Sequence, residues 1–215
     1  MKLIHTTKIK RLKSIKENGM VFGKKKSNLL NELIAFSLNE YKPRHLPDFI
    51  DFNKCNFFYP EEGAFMLQQL ERFGKVEGGK LIYVEVLSEE IGEENIYVGD
   101  VFKNDNIAKF NIEFLLDKGI SNSMFLKYKW KELKKIIESS EYIEVVKENK
   151  DIIKDYWNSV ISFKEYQKER NKFNYASKFI FPNCSQYEIM CFNEIPPDKI
   201  KIKKYLDIKE IINVQ

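Results

Sequence analysis

Apolar and polar positions alternate in a few short stretches of this chain and recur at helical spacing in most of the rest. Lys2 to His5, Lys80 to Leu87 with Val84 and Val86, and Gln186 to Phe192 read as strands. Ile9, Leu12 and Ile15 return along one face, which predicts a helix directly after the first strand. Thr6 or Thr7 is the expected hydroxyl cap of that helix, and Gly19 its left-handed stop. Leu29 to Tyr41 predicts a second helix, closed by a loop at Lys42-Pro43 and His45-Leu46-Pro47. Cys55 to Pro60 reads as a short aromatic strand, followed by an amphipathic helix over Glu61 to Phe73. The Gly78-Gly79 turn precedes the Lys80 strand, which is expected to pair with Ile96–Val98. Residues 104–171 read as mostly helical: they hold no proline and no glycine after Gly119, and Trp130, Leu133, Ile136 and Ile137 share one face. Near the far end, Pro196-Pro197 forces a turn between the Gln186 strand and a further one.

This pattern predicts an α+β fold in a single domain spanning residues 1–215, with a helical insertion or lid over roughly 104–171. A hydrophobic content of 43% and an aromatic content of 14% supply a sizeable core and argue against disorder. No apolar run approaches the roughly 20 residues that cross a bilayer, and the basic start lacks the apolar centre of a signal peptide. The expectation is a soluble, cytoplasmic protein with no membrane partner. Three cysteines, Cys55, Cys184 and Cys191, form an odd set without metal-type spacing and fit reduced thiols. Charge is uneven: residues 1–26 hold nine Lys or Arg and one acid, a local +8 against a chain total of +4. Such a patch can hold a pyrophosphate or a nucleic-acid backbone, or it can be a solvated lysine face.

Two places carry candidate chemistry. His5, at the predicted end of the first strand and above a helix N-terminus, is placed to meet a polar or anionic ligand. Glu188 opens the apolar run of its strand, and Gln186 lies two residues earlier on the same face. There is no Walker-type loop, no His-Glu-x-x-His and no Cys-x-x-Cys, so neither phosphate-loop nor metal chemistry has a motif here.

His5-x-Thr7 followed by Leu12-x-Ser14-Ile15-x3-Gly19, together with Gln186-x-Glu188 and the Ile195-Pro196-Pro197-x-x-Ile200 turn, resembles the NAD-dependent ADP-ribosyltransferase fold. That family includes poly(ADP-ribose) polymerases, the diphtheria-toxin class and bacterial DNA-modifying toxins. The resemblance implies a split, mixed β-sheet with flanking helices, NAD as the ADP-ribose donor and no metal. It makes Glu188 the catalytic carboxylate that orients the ribose and stabilises its positive charge as nicotinamide leaves, with Gln186 helping to choose the acceptor. His5, Thr6 and Thr7 become cofactor contacts, although many members have Gly where Thr6 stands. The aromatic that stacks on nicotinamide is assigned to Tyr59, with Tyr97 as its rival. Some DNA-targeting relatives carry an arginine just after that aromatic strand; Glu61-Glu62-Gly63 stands there instead, leaving Arg44 or Lys54 for the role. The loop before the catalytic strand recognises the acceptor in this family, which points to Lys178, Phe179, Phe181 and Asn183. Aromatics beside basic residues favour DNA or RNA as acceptor over protein. The resemblance to toxins adds an antitoxin protein as an implied partner. A non-catalytic module that holds nucleotide or nucleic acid is the alternative.

Overall fold

The computed structural model describes residues 1–22, 29–60, 81–121, 130–169 and 187–206. In chain order its elements are β1 (Lys2–Lys8), α1 (Leu12–Asn18), α2 (Leu29–Glu40), β2 (Asn56–Pro60), β3 (Leu81–Leu87), α3 (Ser88–Ile91) and β4 (Ile96–Asp100). They continue through α4 (Val101–Asp117), α5 (Trp130–Ile137), α6 (Ser140–Glu148), α7 (Lys150–Ser159), β5 (Ile161–Ser162), α8 (residues 163–169), β6 (Tyr187–Cys191) and β7 (Lys201–Leu206). Two compact units emerge. One combines Met1–Val21, Asn56–Val98 and Ile161–Gln215; the other combines Phe22–Cys55 with Gly99–Val160.

The first unit is built on a seven-stranded sheet in the order β5-β4-β6-β2-β1-β3-β7. A mixed sheet was expected from the resemblance, but every pairing with a described register is antiparallel. β1 is an interior strand between β2 and β3, and its β-branched Ile4, Thr6 and Thr7 suit that pleated, two-sided environment. The same residues correct the expected helix cap. Thr6 and Thr7 pair with Tyr83 and Ile82 of β3, so the strand runs on to Lys8, and α1 starts at Leu12 without a side-chain cap. His5 therefore lies in mid-strand rather than at a strand end above a helix.

Gly19 does stop α1, at φ 74°, with its N–H on the Ile15 carbonyl at 2.9 Å. A Cβ there would fall 2.0 Å from the Ile195 carbonyl oxygen, so glycine is required twice over. Met20 and Ile195 then exchange backbone hydrogen bonds of 2.8 and 3.0 Å, tying the end of α1 to the turn that follows β6. β3 was expected beside Ile96–Val98. Its neighbours are β1 and β7 instead, because α3 and a 3₁₀ turn (Glu93–Asn95) carry the chain out of hairpin register before β4.

Pleat alternation gives the sheet two different faces. On one, Leu3, Phe58, Ile82, Val84, Val86, Ile189 and Cys191 join Ile15, Phe163 and Tyr166 in an apolar core. On the other lie Ile4, Thr6, Tyr59, Glu85, Glu188 and Met190.

The helical unit departs from the expected insertion at both edges. Helices α4 to α7 fall between Val101 and Ser159, β5 interrupts before α8, and α2 belongs to the same unit. Its centre is polar as well as apolar. Tyr142 Oη donates to Asn111 Oδ1 (2.6 Å), lies 2.8 Å from the Leu33 carbonyl and 3.0 Å from Ser37 Oγ, and all three polar side chains are fully buried. Trp157 Nε1–H donates to the Leu38 carbonyl (2.9 Å), pinning α7 to α2. Every polar atom in this cluster has a neutral partner, which is the condition under which burying such groups stabilises. Among the described residues no helix is long and apolar enough to cross a membrane.

Candidate active site

The sheet order places β1, β2 and β6 side by side. Strands that carry the two terminal motifs therefore flank the strand that carries Tyr59. Tyr59 pairs with Ile4 on β1. On the other side, Asn56, Phe57 and Phe58 pair with Cys191, Met190 and Ile189, and one more step of that register sets Tyr59 across from Glu188. Residues directly opposite in a sheet share a face, so Tyr59 and Glu188 project the same way. Thr6 follows from Ile4 by period two and shares that face.

Glu188 is only 6% exposed and Thr6 8%, while Tyr59 is half-buried. A carboxylate held at that depth next to an aromatic ring can oppose positive charge far more strongly than one in water, because the local dielectric is low. This pair is the arrangement with chemical potential.

His5 sits elsewhere. It pairs with Val84, and its ring meets Phe58 edge-on at 5.9 Å, on the apolar face. Its Nδ1 lies 2.8 Å from the Phe57 carbonyl, and since a carbonyl only accepts, Nδ1 carries the proton. The β1·β2 ladder comprises Leu3–Pro60 and Ile4–Tyr59, so the His5 imidazole continues the join between the two strands by side chain where the ladder stops. Thr7 alternates to the same face as His5 and pairs with Ile82.

The remaining expected site residues separate. Arg44 is exposed at a turn of the helical unit, and Lys54 is exposed in the same unit. Tyr97 lies on β4, pairs with Ser162 and meets the Phe192 ring at 6.2 Å; burial and the Glu165 carboxylate raise its phenol pKa. Gln186, Lys178, Phe179, Phe181 and Asn183, and the helix expected over Glu61 to Phe73, lie outside the described residues.

Two features escaped the sequence. Glu85 is 3% exposed on β3, between Ile4 of β1 and Lys201 of β7, on the same face as Glu188. Its signal was a lone acid within the apolar run Leu81 to Leu87. Asn56 is buried and its Nδ2 donates to the Asn193 carbonyl (3.3 Å), while Asn193 Nδ2 donates to the Ile91 carbonyl (3.2 Å). These amides fix the turn behind β6 and so the strand that bears Glu188. Cys191, on that strand, has its thiol pushed up to about 11 by burial, which makes it a core residue and not a nucleophile.

Among the described residues no group of three or more His, Cys, Asp or Glu is gathered as a metal site. What the fold defines is an α+β protein with an antiparallel sheet and two buried carboxylates on one sheet face, Glu188 across from Tyr59. No family model matches the chain, and no curated protein matches it in sequence.

Proposed function

We propose that this chain is an NAD-dependent mono-ADP-ribosyltransferase, a cytoplasmic toxin or defence effector of bacterial or phage type. The observation that carries this reading is the meeting of β1, β2 and β6, which brings Tyr59 and Glu188 to one sheet face from positions nearly 130 residues apart. NAD supplies the glycosidic bond that breaks and the ADP-ribose that is transferred. As that bond lengthens, the ribose gains oxocarbenium character, and the Glu188 carboxylate serves to lower the energy of the positive carbon. Tyr59 offers the flat face for the nicotinamide ring, which leaves as a neutral molecule. The Thr6 hydroxyl, on the same face, is a hydrogen-bond partner for the ribose. His5 acts as a positioning residue, holding β1 against β2 through the Phe57 carbonyl. A nucleophilic oxygen or nitrogen of DNA or RNA, or next a protein side chain, then takes the ribose carbon and releases its proton to water.

One observation favours the alternative, a non-catalytic module that binds nucleotide or nucleic acid: the ring of His5 lies on the apolar face and not with Glu188. Mass spectrometry after incubation with NAD separates the two. Nicotinamide release and an adduct of one ADP-ribose on single-stranded DNA, RNA or lysate protein, lost in Glu188→Ala, is the expected result. Absence of release with every acceptor would leave the module.

A further inference from the structure

Helix α1 packs on the apolar face of the sheet. Ile15 joins Leu3, Phe58, Ile82 and Ile195 in the core there, and Leu12 packs against it partly buried. Glu188, Tyr59 and Thr6 belong to the opposite face, so the outer side of α1 points away from them. The basic segment stands on the far side of the sheet from any dinucleotide bound beside Glu188. Its charges are therefore placed for something other than the pyrophosphate of that ligand.

The outer side of α1, and of the 3₁₀ turn that leads into it (Ile9–Arg11), is cationic. Lys10, Arg11, Lys13 and Lys16 are exposed there against one acid, Glu17, a net of +3 over residues 9–18. Lys10, Lys13 and Lys16 recur every third residue and form one ridge, with neighbouring Cβ atoms about 5–6 Å apart. Glu17 meets Lys13 at 3.9 Å, but both side chains stand in water, 56% and 86% exposed, where such a pair is weak. Among the described residues Lys10, Arg11 and Lys16 meet no acid. The 3₁₀ turn Pro197–Lys199 packs beside α1, and its two charges answer each other, Lys199 to Asp198 at 4.0 Å, so the ridge keeps its excess.

These cations do not serve the helix itself. Lys10 and Arg11 precede its first turn, which holds no acid and no side-chain cap, and cations at that end oppose the helix dipole. The ridge is nevertheless held firmly, by Ile15 in the core and by the Met20–Ile195 backbone pair at the end of α1. Like charges fixed at close spacing repel one another, and a polyanion relieves that cost.

We propose that the Lys10–Lys16 ridge docks the phosphate backbone of a nucleic acid without reading its sequence. The ridge is about 10 Å long, a length over which a duplex presents five or six phosphate charges, roughly one per 1.7 Å of axis. Flexible lysine stems meet such a row without a fixed register. No aromatic residue stands in the segment 9–18 to stack on a base, so duplex is expected to bind at least as well as single strand. The contact needs neither NAD nor Glu188 and stands apart from the catalytic reading.

The test is fluorescence anisotropy of the full chain, without NAD, on two fluorescein-labelled 16-base-pair duplexes of unrelated sequence between 50 and 200 mM salt. The parent is expected to bind both alike. Lys10→Gln/Arg11→Gln/Lys16→Gln is expected to lower the slope of log affinity against log salt by about three, and each single substitution by about one. Lys135→Gln/Lys150→Gln/Lys154→Gln removes the same net charge from exposed positions of the helical unit and is expected to bind like the parent. Melting temperatures matching the parent show that each variant is folded, and the single substitutions decide the matter if the first triple is not. The proposal fails if the parent does not bind at 50 mM salt, if the two triples weaken binding equally, or if one duplex is preferred more than about tenfold. It also fails if phosphatidylglycerol vesicles at matched phosphate concentration hold the parent more tightly than duplex, which would mark the ridge as a membrane-surface contact.

Discussion

The two units bury different kinds of polar group. In the helical unit Ser37, Asn111 and Tyr142 are neutral and satisfy one another and the backbone, so the cluster works as a three-way clamp between α2, α4 and α6. In the sheet unit the buried polar groups include two carboxylates, Glu85 and Glu188, on the face opposite the one that carries the apolar core. Ionised groups cost far more to bury than neutral amides and hydroxyls, and a hydrophobic replacement is often neutral or better for stability. A structural clamp needs no carboxylate. On the proposed function, the contrast sets polar groups kept for the fold against Glu188, kept for chemistry.

The contrast breaks first at Glu188. Glu188→Gln keeps the shape of the side chain and removes the charge; turnover of NAD is expected to fall by about 10²–10³-fold, with denaturant midpoint little changed. A large loss of stability together with turnover would put Glu188 in the structural class. Gly19→Ala strikes the fold instead: the positive φ and the Ile195 carbonyl oppose any Cβ, and urea unfolding is expected to show a loss of about 2–4 kcal/mol.

Tyr142→Phe sharpens the helical side of the comparison. Removing one hydroxyl leaves Asn111 Oδ1 without its donor at full burial, at an expected cost of about 1–3 kcal/mol in chemical denaturation. Cys191 gives the smallest effect and a pH signature. Its folded pKa is raised from 9.0 to about 11, so its contribution is fully present below pH 9 and is lost as pH rises toward 11. Stability measured from pH 8 to 11 is expected to decline less steeply in Cys191→Ala than in the parent, and the parent thiol to resist alkylation until unfolding.

Local patterns made much of this legible. The period-two runs located β3 and β6, the 3.6-residue period located α2, Gly19 marked the end of α1, and Pro196-Pro197 marked the turn before β7. Features that depend on pairing were not legible. Thr6 and Thr7 suit a helix cap and a strand equally well, and seven residue pairs with β3 decided for the strand. β3 and β4 look like a hairpin in sequence, yet partners contributed from positions 2 and 201 onward took both edges of β3. The site shows the same limit. Glu188 and Tyr59 were identifiable by residue type and motif, but that they share a face while His5 takes the other follows from strand register, which a one-residue shift would reverse.

The central claim is that the Glu188 face acts on NAD. Its most direct measurement is quantitative nicotinamide release by mass spectrometry from NAD with parent, Glu188→Gln and Tyr142→Phe proteins, each in the presence of single-stranded DNA or RNA. Release by the parent and by Tyr142→Phe below its unfolding midpoint, with loss in folded Glu188→Gln, is the expected pattern. Equal release from parent and Glu188→Gln, or none from either, would contradict it.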